Sequence, residues 1–206
     1  AHKLRGYFGN LFKEYSPLLH NHWENGDFRY RYPVVQYKVI DNIPMLVGID
    51  EGAQLLPQLF LKVKEIDIDD IVYPVSAKNI EVQTYNIGYS TNLESYRFAT
   101  LWMALNQSNY HAYTQLKSEQ EKEDMLNAVI VGHILSFLRN MKVELTSVER
   151  LMAKVEVQEK ATNFKDNKMI AFSGRFLVNA LLPDWIGLGK SSARGFGTIV
   201  KKLSNG

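Results

Sequence analysis

Two successive runs of helix and strand signals in nearly the same order, with no low-complexity tract between them, predict an α+β chain of two tandem ferredoxin-like (RRM-like) units. The first unit covers residues 1–92 and the second 93–206, although no Pro- or Ser-rich linker marks the boundary. With 206 residues and 46% hydrophobic content, the chain has enough apolar surface for a real core.

The elements follow in order. Leu4, Tyr7, Phe8, Leu11, Phe12 and Tyr15 recur at helical spacing, weakened by Gly6 and Gly9, and Ser16-Pro17 ends that helix. Phe28 to Ile40, rich in Tyr and Val, reads as a strand. Asp41-Asn42-Ile43-Pro44 turns the chain into a second strand at Met45–Ile49. Glu51–Val63 is a short helix despite Pro57, and Ile71–Tyr89 carries one or two strands. One opening strand would complete βαββαβ. In the second half, Glu94–Tyr113 is strand-rich. Ser118-Glu119-Gln120-Glu121 then has capping-box spacing and starts the best helix of the chain. Met125, Val129, Ile130, Ile134, Phe137, Leu138 and Met141 form its apolar stripe, and Arg139 and Lys142 suit its C-terminal end. Strands at Leu151–Lys160, Met169–Asn179 and Phe196–Leu203 finish the unit, with only a short connection before the last.

That connection holds the most informative stretch: Gly187-Leu188-Gly189-Lys190-Ser191-Ser192-Ala193-Arg194-Gly195-Phe196-Gly197. Two Gly-apolar-Gly triplets bracket five residues. Dense glycines let backbone go where a Cβ would clash and free N–H groups to converge, while Lys190, Arg194, Ser191 and Ser192 add charge and short donors. A phosphate chain is the natural object; a glycine-rich turn with no ligand is the plain alternative. The spacing is neither a Walker loop nor the dinucleotide fingerprint.

This stretch resembles the signature of the RAMP superfamily of CRISPR-associated proteins. It is most similar to the repeat-processing endoribonucleases that cut precursor crRNA, whose loop reads Gly-apolar-Gly, five residues, Gly-apolar-Gly. Leu4-Arg5-Gly6 also resembles the family's first helix. In the family an opening strand precedes that helix. The resemblance therefore implies a first unit short of its opening strand.

Composition narrows the classes. There are no cysteines, so disulfides, iron–sulfur clusters and thiolate zinc sites are excluded. No apolar run is long enough to span a bilayer, so no membrane role is expected, and a cytoplasmic placement is. The net charge of +2 hides an uneven distribution. Residues 1–40 carry six Lys or Arg against three acids, residues 41–159 ten against seventeen, and residues 160–206 eight against two. Two basic ends suit a phosphate-bearing partner.

His20 and His22 are the only closely spaced histidine pair, and in an extended segment they share a face. With unperturbed pKa values of about 6.5, one ring can accept a proton while the other donates. Capping the helix end or packing beside Trp23 is the alternative role. In the resembling family a histidine just after the first helix is catalytic, and one branch carries His-x-His there, which His20-Asn21-His22 matches. Arg29 and Arg31 share a strand face and could clamp phosphate or simply sit in solvent; Lys38 falls on the opposite face of a regular strand. His133, on the apolar side of the long helix, reads as a satisfied core or interface histidine. The acidic groups Asp67/Asp69/Asp70 and Glu121/Glu123/Asp124 lack calcium-loop spacing, so no metal and no cofactor are called for.

The resemblance thus implies a metal-independent endoribonuclease that binds and cleaves CRISPR repeat RNA. His20 and His22 would be its acid–base pair. Arg29, Arg31, Gly187, Gly189, Lys190, Ser191, Ser192, Arg194, Gly195 and Gly197 would form its RNA-binding set. Internal 2′-OH attack would leave a 2′,3′-cyclic phosphate and a 5′-OH. A second copy of the chain and other CRISPR-associated proteins are further partners it admits. A non-catalytic RNA-binding subunit of a CRISPR effector would keep the loop but use the histidines structurally. A nucleotide-holding enzyme or sensor is a third, less supported, class.

Overall fold

The computed structural model describes residues 1–11, 32–164 and 167–202. The chain divides into two compact units, residues 1–84 with 193–195, and residues 85–192 with 196–206. The boundary expected at 92/93 falls inside a strand that begins at Gly88.

In the first unit, α1 (His2–Leu11) is followed by β1 (Val35–Ile40), β2 (Ile43–Gly48), α2 (Glu51–Phe60), β3 (Glu65–Ile68) and β4 (Ile71–Pro74). β1 and β2 form one antiparallel hairpin, β3 and β4 another. Each hairpin closes on two residues with positive φ, Asp41 and Asn42 in the first and Asp69 and Asp70 in the second. That is a type I′ turn, whose twist matches the strands. Aspartate reaches this region more readily than most residues, which is why the Asp67–Asp70 run makes a turn. The expected turn residues Ile43 and Pro44 lie instead inside β2, and β3 was not foreseen. Leu4 and Phe8 of α1 pack with Val35, Tyr37, Leu59 and Val63 in this unit's core. Phe8 stacks on Tyr37 at 6.0 Å between ring centres.

The second unit runs β5 (Gly88–Phe98), α3 (Gln107–Gln115), α4 (Glu119–Asn140), β6 (Ala153–Phe164), β7 (Asn167–Leu181) and β8 (Ile199–Lys201). Its sheet order, β6-β7-β5-β8, is that of a ferredoxin-like unit. A single 3-10 turn, Ser192–Arg194, stands where the second crossover helix would be. The expected capping box is present: the Ser118 hydroxyl accepts from the Glu121 amide, and the Glu121 carboxylate accepts from the Ser118 amide. The stripe of α4 is buried at Leu126, Ile130, Ile134, Phe137 and Leu138. The strand-rich reading of 94–113 holds only to Phe98. Asn106 caps α3 by accepting from the Asn109 amide, and residues between β5 and α3 run irregularly with one bridge, Trp102 to Phe172. An aromatic stack fills the core, with Phe98 5.1 Å from Trp102 and 5.2 Å from Phe176. Among the described residues, no helix is long and apolar enough to cross a membrane.

Candidate functional site

The glycine-rich stretch leaves β7 and returns to β8, and it is held by the segment that follows β5. Gly187 bridges Thr198, and the Leu188 amide donates to the Gly197 carbonyl at 2.9 Å. The Gly197 amide donates to Leu101 O at 2.8 Å, and the Lys190 amide to Met103 O at 3.0 Å. Leu188 is wholly buried, so the apolar position of the first triplet is the plug that seats the loop.

Glycine is required at two of these points. Gly197 has φ 63°, and a Cβ there would lie 1.9 Å from Leu188 O. Gly189 has φ 87°, and its Cβ would meet Met103 O at 2.8 Å, Trp102 Nε1 at 2.9 Å and His133 Cε1 at 3.1 Å. The first is a contact between the two triplets. The second is a close approach of the loop to the core.

Several of the loop's amides are therefore spent on holding its own shape. Those of Gly189 and Ser191, which has φ 58°, make no hydrogen bond among the described residues. They flank Lys190, whose side chain is exposed. Ser192 is buried and Ser191 half-buried. Two unpaired amides on either side of one exposed cation suit an anionic oxygen.

Arg194 and Gly195 group with the first unit. There, a Gly195 Cβ would lie 2.9 Å from Tyr37 O and 3.3 Å from Lys38 Cα. Arg5, half-buried on α1, has its pKa lowered by desolvation and by the nearby Arg194 guanidinium. Each of the two cations thereby disfavours the charge of the other.

Lys38 departs most from its sequence reading. Gln36, Tyr37 and Lys38 are all fully buried, so β1 does not alternate between a core face and a solvent face. Lys38 Nζ donates to Gln36 Oε1 at 2.9 Å, and Gln36 Nε2 donates to Tyr32 Oη at 2.9 Å and to Pro33 O at 3.1 Å. Burial pushes the Lys38 ammonium down to about 7. A lysine so placed exchanges a proton near neutrality, a property that strand alternation concealed.

His133 accepts at Nδ1 from Trp102 Nε1 at 3.3 Å, and burial lowers its pKa to about 4. It is thus hydrogen-bonded as expected, but it also lies against Gly189, which helical spacing could not reveal. His20, His22, Arg29 and Arg31 lie outside the described residues.

A ferredoxin-like sheet whose last two strands are joined by a Gly-apolar-Gly, five-residue, Gly-apolar-Gly loop is what the resemblance to the RAMP class of CRISPR-associated proteins implies. The comparisons with known proteins are narrower. Residues 1–86 match the model of the Cas6b N-terminal domain and residues 88–202 that of the Cas6b C-terminal domain. The chain belongs to the Cas6b family. A Cas6b crystal structure superposes with a TM-score of 0.91 at 33% identity, covering 97% of this chain and 90% of the other. A second, described as the CRISPR RNA processing endoribonuclease Cas6b, gives a TM-score of 0.73 at 30% identity, covering 97% and 89%. The Methanocaldococcus jannaschii protein MJ0978 is 32% identical over 145 residues, which is 70% of this chain and 97% of that protein.

Proposed function

We propose that the chain is a metal-independent endoribonuclease that binds and cleaves CRISPR repeat RNA. The observation that carries the reading is the loop: the Gly189 and Ser191 amides, unpaired among the described residues, flank the exposed Lys190 within the Cas6b framework. Such a set grips a phosphate oxygen without reading a base. Gly187, Gly195 and Gly197 shape the stretch, Ser192 is buried in it, and Arg194, with Arg29 and Arg31, supplies charge.

Cleavage is assigned to His20 and His22. One neutral imidazole removes the 2′-OH proton, and the resulting alkoxide attacks the adjacent phosphorus. The P–O5′ bond breaks as the other ring, protonated, gives its proton to the departing oxygen. The products are a 2′,3′-cyclic phosphate and a 5′-OH, and the nucleophile comes from the RNA itself. A cytoplasmic setting, a second copy of the chain and other CRISPR-associated proteins are consistent partners of this role.

The test is incubation with labelled CRISPR repeat RNA in EDTA, comparing the parent chain with His20→Ala and His22→Ala. The expected result is one cut with a cyclic phosphate end, slowed about 100-fold or more in either variant. Tight binding without any cut would favour the non-catalytic subunit, and cutting unaffected by both substitutions would remove the histidines from the reaction.

A further inference from the structure

His133 on α4 is a half-buried titratable group of the second unit that the proposed cleavage does not use. Its ring meets Trp102 edge to face, at an interplanar angle of 90°. An indole N–H can only donate, so Nδ1 of His133 must accept and the imidazole proton is confined to Nε2. A second proton, on Nδ1, would set two N–H groups against each other. Desolvation acts in the same direction and keeps the ring neutral at working pH. Trp102 cannot turn away, since it is wholly buried and stacked on Phe98 with ring planes only 8° apart.

The outer edge of the imidazole faces the loop. Cε1, the carbon between the two nitrogens, lies 3.1 Å from where a Gly189 Cβ would stand. Only a glycine lets the loop come this close. His133 is half-buried rather than sealed, and its Nε2–H has no hydrogen-bond partner among the described residues. One nitrogen thus accepts from the core, which leaves the other as the donor of a ring whose Cε1 lies beside Gly189.

We propose that His133 is a further RNA-binding residue of the glycine-rich loop, its Nε2–H donating to a phosphate oxygen of the strand bound beside Gly189, with Trp102 as the positioning residue that fixes its tautomer. The proposal rests on the RNA-binding reading above. It gives the loop a neutral donor whose strength does not vary with pH across the physiological range, in contrast to an ordinary histidine. A neutral donor also displaces no counterion, so its contribution is insensitive to salt.

The experiment measures repeat-RNA affinity in a His20→Ala/His22→Ala background, so that cleavage does not intrude. His133→Gln keeps an acceptor for Trp102 and an N–H donor; His133→Phe keeps neither. Affinity should fall about tenfold or more in His133→Phe, stay within about threefold of the background in His133→Gln, and keep an unchanged salt slope in both. A companion measurement needs no substitution at His133. In histidine-labelled protein, NMR should show the Nε2–H tautomer of His133 before RNA is added, and a shifted, exchange-protected Nε2–H at saturation. Equal affinity in His133→Phe, or an Nε2–H signal unmoved by saturating RNA, overturns the proposal while leaving RNA binding intact. If the background protein binds no repeat RNA at all, the RNA-binding reading falls first and this proposal with it.

Discussion

Lys38 is where burial and ionisation conflict most directly. In the unfolded chain its ammonium has an ordinary pKa near 10.5, and in the folded chain burial lowers it to about 7. Between those values the unfolded chain holds the extra proton, so stability rises with pH across that window and falls as pH drops toward 7. Each unit of pH is worth up to about 1.4 kcal/mol for one such group. From pH 7.5 to 9.5 the folded lysine is mostly neutral and the unfolded one mostly charged, which gives about 2.5 kcal/mol.

Lys38→Met removes the titrating group while filling nearly the same space, at the cost of leaving Gln36 Oε1 without that donor. Urea denaturation of both proteins at several pH values isolates the effect. The free-energy difference between variant and parent should move in the parent's favour by about 2.5 kcal/mol from pH 7.5 to 9.5, because the parent's proton penalty is relieved over that interval. NMR of lysine labelled at Cε gives the midpoint directly, expected at about 7. A Lys38 midpoint near 10, with a pH-independent difference between the two proteins, would refute the reasoning.

Gly197→Ala places a Cβ 1.9 Å from Leu188 O, so the two triplets must separate. It should lower the unfolding midpoint of the second unit by several degrees and weaken repeat-RNA binding at least tenfold, as read by calorimetry and filter binding. Lys190→Ala should leave the unfolding midpoint in place, since the side chain is exposed, but reduce the slope of log K against log salt by about 0.7 for a single-stranded RNA. Ser118→Ala removes the hydroxyl half of the α4 capping box, leaving the residue-118 amide to donate to Glu121, and should cost about 1 kcal/mol in urea unfolding, with RNA affinity unchanged.

What the sequence revealed, and what it hid, follows the range of the interactions involved. The α4 cap and its apolar stripe are written in residues three or four apart, and they appear as expected at Ser118, Glu121, Ile130 and Phe137. The order of the strands in the second unit was legible for the same reason. By contrast, α3 has no apolar stripe, with Tyr113 its only buried residue, and Tyr110, Tyr113 and Thr114 within it are residue types that favour strands. The β3–β4 hairpin turns on Asp69-Asp70, a pair with none of the glycine that usually marks a type I′ turn. Lys38 was passed over because alternation assumes one wet face, and both faces of β1 are buried between Val35 and Lys38.

The glycine loop was found from its letters, but the reason for the letters is partly different from the first expectation. Had all its glycines served to free amides for a ligand, the loop would present a broad nest of N–H groups. Instead the amides of Leu188, Lys190 and Gly197 are tied to Gly197, Met103 and Leu101, and the conformational freedom of Gly197 is used to let the two triplets touch. What this leaves is narrow: two amides at positive φ, one exposed cation and the edge of one neutral imidazole. A site that small can hold one phosphate in one orientation, while recognition of the RNA's length and sequence must come from elsewhere on the chain. Under the proposed function the loop would therefore act as a register pin. On that basis Gly189→Ala, which drives a methyl group toward Trp102 Nε1 and His133 Cε1, should shift or blur the position of the cut in addition to slowing it. Mapping the product ends distinguishes the two: a slower reaction at an unchanged position would mean that the loop contributes affinity alone.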